Sequence, residues 1–213
     1  MLLNLFFSFL FIGTCDNCVK KYYPKARWYA LHALINFCNI LGTHRALIKT
    51  IQDPINIDTG SVISHHIFSP HSIWPTVLTI MLHLYHCLFF IMRKEDRMHH
   101  LLFIPFLMCN LSYQAKNLTI FFASGLPGMI SYICLVAKRY QLISYQREKL
   151  ISFLQNIILR APGLLFSSFA VFYSYIYNKH SMNIYTVGLI CLLASMNGLY
   201  YLQQITGSYY LKK

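Results

Sequence analysis

Residues 118–137 read LTIFFASGLPGMISYICLVA, and Lys138-Arg139 follows at once. Twenty consecutive residues pass without a charged side chain. At about 1.5 Å per residue, a helix of that length covers about 30 Å, the thickness of the hydrocarbon core of a bilayer. Backbone polar groups find no water in that core, so a crossing segment has to be helical. Apolar residues in direct succession, rather than in strict alternation, argue against a barrel strand. A closing Lys-Arg pair is typical of a cytoplasmic boundary.

Working outward from this stretch, residues 28–48, 73–92, 99–115, 150–177 and 182–203 are also predominantly apolar, with Arg45 and Arg160 the charged residues inside them. The sequence therefore predicts an all-α, multi-pass transmembrane helix bundle of about six core helices plus a short apolar N-terminal segment. Residues 1–26 form that apolar segment and a basic linker, residues 27–205 the transmembrane domain, and residues 206–213 a basic cytoplasmic tail. Residues 1–13 lack the basic n-region of a secretory signal. A cleaved signal, a short anchor and an interfacial segment all fit them.

Composition agrees with lipid as the solvent. The chain is 56% hydrophobic and 11% charged, whereas a soluble domain carries about 25% charged residues. A net charge of +12 would suit a nucleic-acid partner, but such proteins gather their cations on one water-facing patch. Here the cations sit in short clusters between apolar runs, which excludes nucleic acid and points to membrane lipids as partners. Thirteen of the eighteen basic residues, Lys20, Lys21, Lys25, Arg27, Arg93, Lys94, Arg97, Lys138, Arg139, Arg147, Lys149, Lys212 and Lys213, fall on one side of a six-span alternation. Arg45, Lys49, Lys116 and Lys179 fall on the other, and Arg160 lies within a span. The bias places both ends of the six-span core in the cytoplasm. The loop over residues 50–72, with turn signals at Asp53-Pro54, Thr59-Gly60 and Ser69-Pro70, is expected on the opposite face.

The six acids, Asp16, Asp53, Asp58, Glu95, Asp96 and Glu148, all lie outside the expected spans. That disfavours a carboxylate-driven pump or transporter. Cys15 and Cys18 form a CxxC with no second ligand pair, so no metal site is expected. The polar groups at membrane depth are histidines, amides and one arginine. His83 and His86 share a helix face, His32 lies near Asn36 and Asn39, and His99-His100 opens the third span. Hydrogen bonding between helices accounts for such groups in the simplest case. An imidazole at depth also takes or gives a proton near neutral pH, which acyl transfer requires. Arg160-Ala161-Pro162-Gly163 interrupts the fifth span, either as a kink with a snorkelling arginine or as a contact for a lipid phosphate. Gly125-Leu126-Pro127-Gly128 interrupts the fourth, as a kink or a tight helix crossing. Asn110-Leu111-Ser112 and Asn117-Leu118-Thr119 match the glycosylation pattern, but sit beside or within spans, where modification is not expected.

The run Arg93-Lys94-Glu95-Asp96-Arg97-Met98-His99-His100 resembles the TLC domain family, which includes ceramide synthases, translocating-chain-associating membrane proteins and lipid-regulating relatives. Trp28-Tyr29-Ala30-Leu31-His32, residues 125–132 and Asn197-Gly198-Leu199-Tyr200-Tyr201 are similar to the same group, so the resemblance covers about residues 27–205. It implies helices around a lipid-open cavity that holds an acyl chain, and a role in lipid metabolism, sensing or distribution, with the endoplasmic reticulum as location. On this resemblance His99 and His100 are the candidate catalytic pair; Arg160, His86 and His32, polar groups within apolar runs, are the candidate lipid-binding residues. If the chain is an acyl-CoA-dependent N-acyltransferase of ceramide-synthase type, acyl-CoA is its co-substrate; otherwise no cofactor is expected. Two departures weigh against ceramide synthesis: no acid occurs between Arg97 and Arg147, and an Asp common before the double His is replaced by His86. A non-catalytic scaffold, trafficking factor or channel is the third reading, and a homo-oligomer is compatible with all three.

Overall fold

The structure, a computed structural model, describes residues 2–57, 63–91, 100, 107, 113–178 and 183–210. Its architecture is all-helical, and among the described residues the only β pairing is an isolated bridge between Ser64 and Ser72. The helices are α1 (Leu2–Tyr22), α2 (Arg27–Gln52), α3 (Trp74–Phe89), α4 (Tyr113–Arg139), α5 (Tyr145–Tyr177) and α6 (Ile184–Tyr210). Three of them, α4, α5 and α6, are long and apolar enough to cross a membrane. Helix α3 is apolar but has 16 residues. Helix α2 has 26, but His32, Asn36, Asn39, Thr43, His44 and Arg45 dilute its apolar run. The expected span over residues 99–115 lies largely outside the described residues, apart from His100, Leu107 and the start of α4.

Apolar side chains left exposed follow helical spacing. Leu165, Phe169, Phe172 and Ile176 line one face of α5, and Tyr185, Leu189, Leu192, Met196 and Leu199 one face of α6. Leu34, Phe37, Leu41 and Ile48 do the same on α2. Continuous apolar stripes on the outside of a bundle are the surface that hydrocarbon tolerates and water does not.

The two ends of the bundle differ in composition. At one end Arg27 lies 4.8 Å over the Phe90 ring, Tyr23 meets Tyr140 at 6.1 Å, and Arg139 Nε donates to the Lys25 carbonyl at 3.2 Å. At the other, Gln114 Nε2 donates to Thr50 Oγ1 at 3.4 Å, and Ser174 Oγ donates to the Ile57 carbonyl at 3.0 Å. The basic segments preceding α2 and following α4 thus share one end, and the loop after α2 lies at the opposite one.

Both interruptions seen in the sequence are π-helical turns. One covers Phe121–Gly125 in α4, two residues ahead of Pro127; the other covers Asn156–Arg160 in α5, two residues ahead of Pro162. Proline removes an N–H and crowds the preceding turn, and one wide turn absorbs both effects without breaking the helix. Gly163 follows at the α4–α5 contact, where a Cβ would overlap the Phe122 ring.

Helix α1 continues past its apolar start, through the stretch expected to be a basic linker, as far as Tyr22. Asp16, expected outside the spans, is buried there. Its carboxylate accepts from Arg27 Nη2, from Arg27 Nε at 2.7 Å and from the Tyr85 hydroxyl at 2.7 Å, tying α1 to α2 and α3. Glu148 is buried as well, pairing with Lys138 at 2.9 Å and accepting from Ser152 Oγ at 3.2 Å. Charges close to the apolar core persist when paired and hydrogen-bonded.

Gly163→Ala is expected to lower stability by about 1–3 kcal/mol, because the methyl has to displace a packed ring; thermal unfolding of the detergent-solubilised protein measures it. Asp16, beyond the apolar part of α1, gives a second test. Burial pushes its carboxyl up, but the hydrogen bonds and charges of Arg27, with Tyr85 and Lys20, outweigh burial and hold it below its ordinary value. Its contribution is therefore complete above about pH 4 and is lost as pH falls through the lowered folded value. Tyr85→Phe is expected to cost about 1.5 kcal/mol near neutral pH. A melting temperature for Tyr85→Phe equal to that of the native protein at pH 7 would refute the clamp.

Candidate functional site

Helix α3 presents His83 and His86 inward because Leu84 and Leu88 hold its outward face. Helix α2 brings His32 to the same place, one turn beyond Trp28. The Trp28 ring lies 3.7 Å from His32 and 3.6 Å from His86, centroid to centroid. His100 completes the group at 4.6 Å from His83 and 5.1 Å from His86, with Cys87 Sγ 3.7 Å from its Nδ1. All four imidazoles are buried. His32 Nδ1 bonds the Trp28 carbonyl at 2.9 Å and His83 Nδ1 the Thr79 carbonyl at 2.6 Å. A carbonyl only accepts, so Nδ1 carries the proton in both rings and the lone pair of each neutral ring is on Nε2.

Tyr132 of α4 extends the cluster. Its ring is 4.6 Å from His32, and with Tyr201 it is an ionisable neighbour of the Arg160 guanidinium. Arg160 closes the π turn of α5 and is 6% exposed. It does not snorkel to an interface: the guanidinium lies 4.6 Å over the Tyr201 ring, and Nη1 donates to Asn156 Oδ1 at 3.4 Å. Its Nε has no hydrogen-bond partner among the described residues. One turn before Tyr201, Asn197 is 2% exposed, and both polar atoms of its amide are likewise without partners among the described residues. Asn36, one turn beyond His32, enters the same region through Gly128: a Cβ at Gly128 would stand 2.6 Å from Asn36 Nδ2 and 3.9 Å from Arg160 Nη2.

The structure thus brings together His32, His86 and His100 and adds His83 and Trp28, while Arg160 lies apart from them, with Tyr132 as an ionisable neighbour of both His32 and the guanidinium. His99 lies outside the described residues. Asn39 has the packing role expected for such amides, donating to Thr79 Oγ1 on α3 at 3.1 Å. The three described acids are engaged elsewhere: Asp16 and Glu148 in their pairs, and Asp53 with Asn56. Among the described residues, no group of three or more His, Cys, Asp or Glu side chains is arranged to hold a metal ion, and the Cys15 and Cys18 thiols are free. Tyr132, Asn197 and Tyr201 entered the sequence reading only through family resemblance. The available signal was one-turn spacing, Gly128 to Tyr132 and Asn197 to Tyr201, which places each pair on one helix face.

A cleft of about 400 Å³ opens at the basic end, lined by Lys25, Arg27, Trp28, Tyr29, Phe90 and Arg139. Trp28 is therefore shared between this cleft and the histidine cluster.

These features define an all-helical protein with three helices long and apolar enough to cross a membrane and a set of buried imidazoles and a guanidinium between its helices. No protein-family model matches the chain, and neither curated proteins nor solved structures include a match to it.

Of the two glycosylation patterns, Asn110 lies outside the described residues. Asn117 is fully buried, and its Nδ2 donates to the carbonyls of Pro70 at 3.0 Å and Ser72 at 2.9 Å. Asn117→Gln is therefore expected to leave electrophoretic mobility in membranes unchanged; a faster-migrating variant would show that Asn117 carries a glycan.

Proposed function

We propose that this chain is a multi-pass membrane protein of TLC type that acts in membrane lipid metabolism, sensing or distribution. It holds an acyl chain between its helices, with His32, His86 and Arg160 toward the head group. One observation carries this reading: four buried imidazoles and a buried guanidinium, with the half-buried Tyr132 against His32 and an ionisable neighbour of Arg160, inside helices whose outer faces are apolar. Apolar walls with a few convergent polar groups are what a lipid-sized ligand requires. A six-span core belongs to the same proposal; Phe90 lies at the Trp28 end of α2 and Gln114 at its Thr50 end. The gathering of Lys25, Arg27 and Arg139 at one end supports a cytoplasmic position for both core termini, as the charge bias suggests. Endoplasmic reticulum residence belongs to the same proposal.

A second reading, acyl-CoA-dependent N-acyl transfer, is favoured by the packing of His100 against His83 and His86. A neutral imidazole there is a base for an attacking amine.

Lipid mass spectrometry on the purified protein tests the first reading. We expect one lipid class to be enriched over the host membrane, and His86→Ala to reduce that enrichment severalfold. A lipid complement identical to the bulk membrane would remove the proposal and leave a scaffold or trafficking role. Turnover of acyl-CoA with an amine acceptor that disappears in His100→Ala would establish the second reading; absence of turnover in the native protein would dismiss it.

A further inference from the structure

We propose that the Arg160 region is a carboxylate site, and that its occupant is a free fatty acid. The inference rests on the lipid-binding reading above and specifies the ligand. Arg160 is a permanent cation, and it is 6% exposed. No carboxylate among the described residues contacts it, since Asp16, Asp53 and Glu148 are each engaged elsewhere. What it has is a long hydrogen bond to a neutral amide and the face of an aromatic ring. A buried charge with so little compensation calls for an anion. The guanidinium edge that includes Nε is the edge that fits a carboxylate with two parallel hydrogen bonds, and Nε is the atom without a partner among the described residues.

Two neutral amides on other helices adjoin the neighbours of Arg160, Asn197 one turn before Tyr201 and Asn36 against Gly128. Asn197 of α6 is 2% exposed and has an N–H donor without a partner among the described residues. Asn36 of α2 is admitted by Gly128, whose Cβ position is close to both Asn36 Nδ2 and Arg160 Nη2. Arg160 and Asn197, on separate helices, thus each have a donor without a partner among the described residues, and among those residues the charge on offer there is a single positive one. That count selects among lipid head groups. A carboxylate brings one negative charge and is matched; a phosphate monoester brings about −1.5 to −2 and would bury an excess.

The test uses the full chain in nanodiscs at pH 8, with radiolabelled palmitate as the probe. Methyl palmitate, palmitoyl lysophosphatidate, inorganic phosphate and acetate serve as competitors. Native protein is expected to bind palmitate about tenfold or more tighter than methyl palmitate, the ratio expected for a charge-assisted pair. Arg160→Gln is expected to erase that preference while retaining methyl palmitate, which separates loss of the anion contact from loss of the fold. Asn197→Leu is expected to weaken palmitate severalfold. Acetate and phosphate alone should not compete, because the acyl chain supplies the remaining affinity.

Equal affinity of the native protein for palmitate and methyl palmitate would overturn the proposal without any variant. So would a preference that survives in Arg160→Gln, or tighter binding of lysophosphatidate or free phosphate than of palmitate. If methyl palmitate binds without any preference for the acid, the lipid reading stands and this inference falls. If no acyl compound binds and no lipid copurifies, both fall.

Discussion

Every backbone N–H and C=O group in hydrocarbon has to be bonded within the chain, and the architecture follows from that requirement. It makes helix the available form for residues 118–137 and keeps α4 and α5 continuous where prolines would break them. The two π turns answer the same constraint: each releases strain ahead of a proline while the backbone stays hydrogen-bonded. Because the second π turn ends at Arg160, the device that accommodates Pro162 also ends where the guanidinium turns inward onto Tyr201.

The same solvent makes charge scarce and expensive, and the two buried acids among the described residues are held in pairs. Asp16 is bound by Arg27 and Tyr85, and Glu148 by Lys138 and Ser152. The first pair fixes α1 against α2 and α3; the second staples the turn between α4 and α5. Arg160 departs from this economy. Its surroundings among the described residues have amide dipoles and aromatic faces but no acid, so its charge is unmatched there. The histidines obey a milder version of the rule: they remain compatible with burial as neutral rings, and two of them satisfy Nδ1 on a carbonyl of their own helix.

Much of the fold was legible because it depends on consecutive residues. Apolar run length announced α4, α5 and α6, and two of the basic clusters, those holding Lys25 and Arg139, meet at one end of the bundle. The helical course of residues 14–22 was hidden, because Asp16, Lys20 and Lys21 look like loop chemistry until Arg27 and Tyr85 are brought beside them. The candidate site was only half legible. His32, His86, His100 and Arg160 were conspicuous as polar groups in apolar runs. Asn197 and Tyr132 were not, since an amide or a phenol in a span is unremarkable without its neighbours.

What the sequence by itself determined is local: which stretches avoid water and where helices have to bend, because each depends on residues within one or two turns. What only the tertiary structure decided is who meets whom. Trp28 between two histidines, Tyr132 between His32 and Arg160, and a glycine that admits Asn36 all join residues tens of positions apart. Such meetings depend on how helices cross, and a crossing is set by side-chain volumes on two surfaces at once.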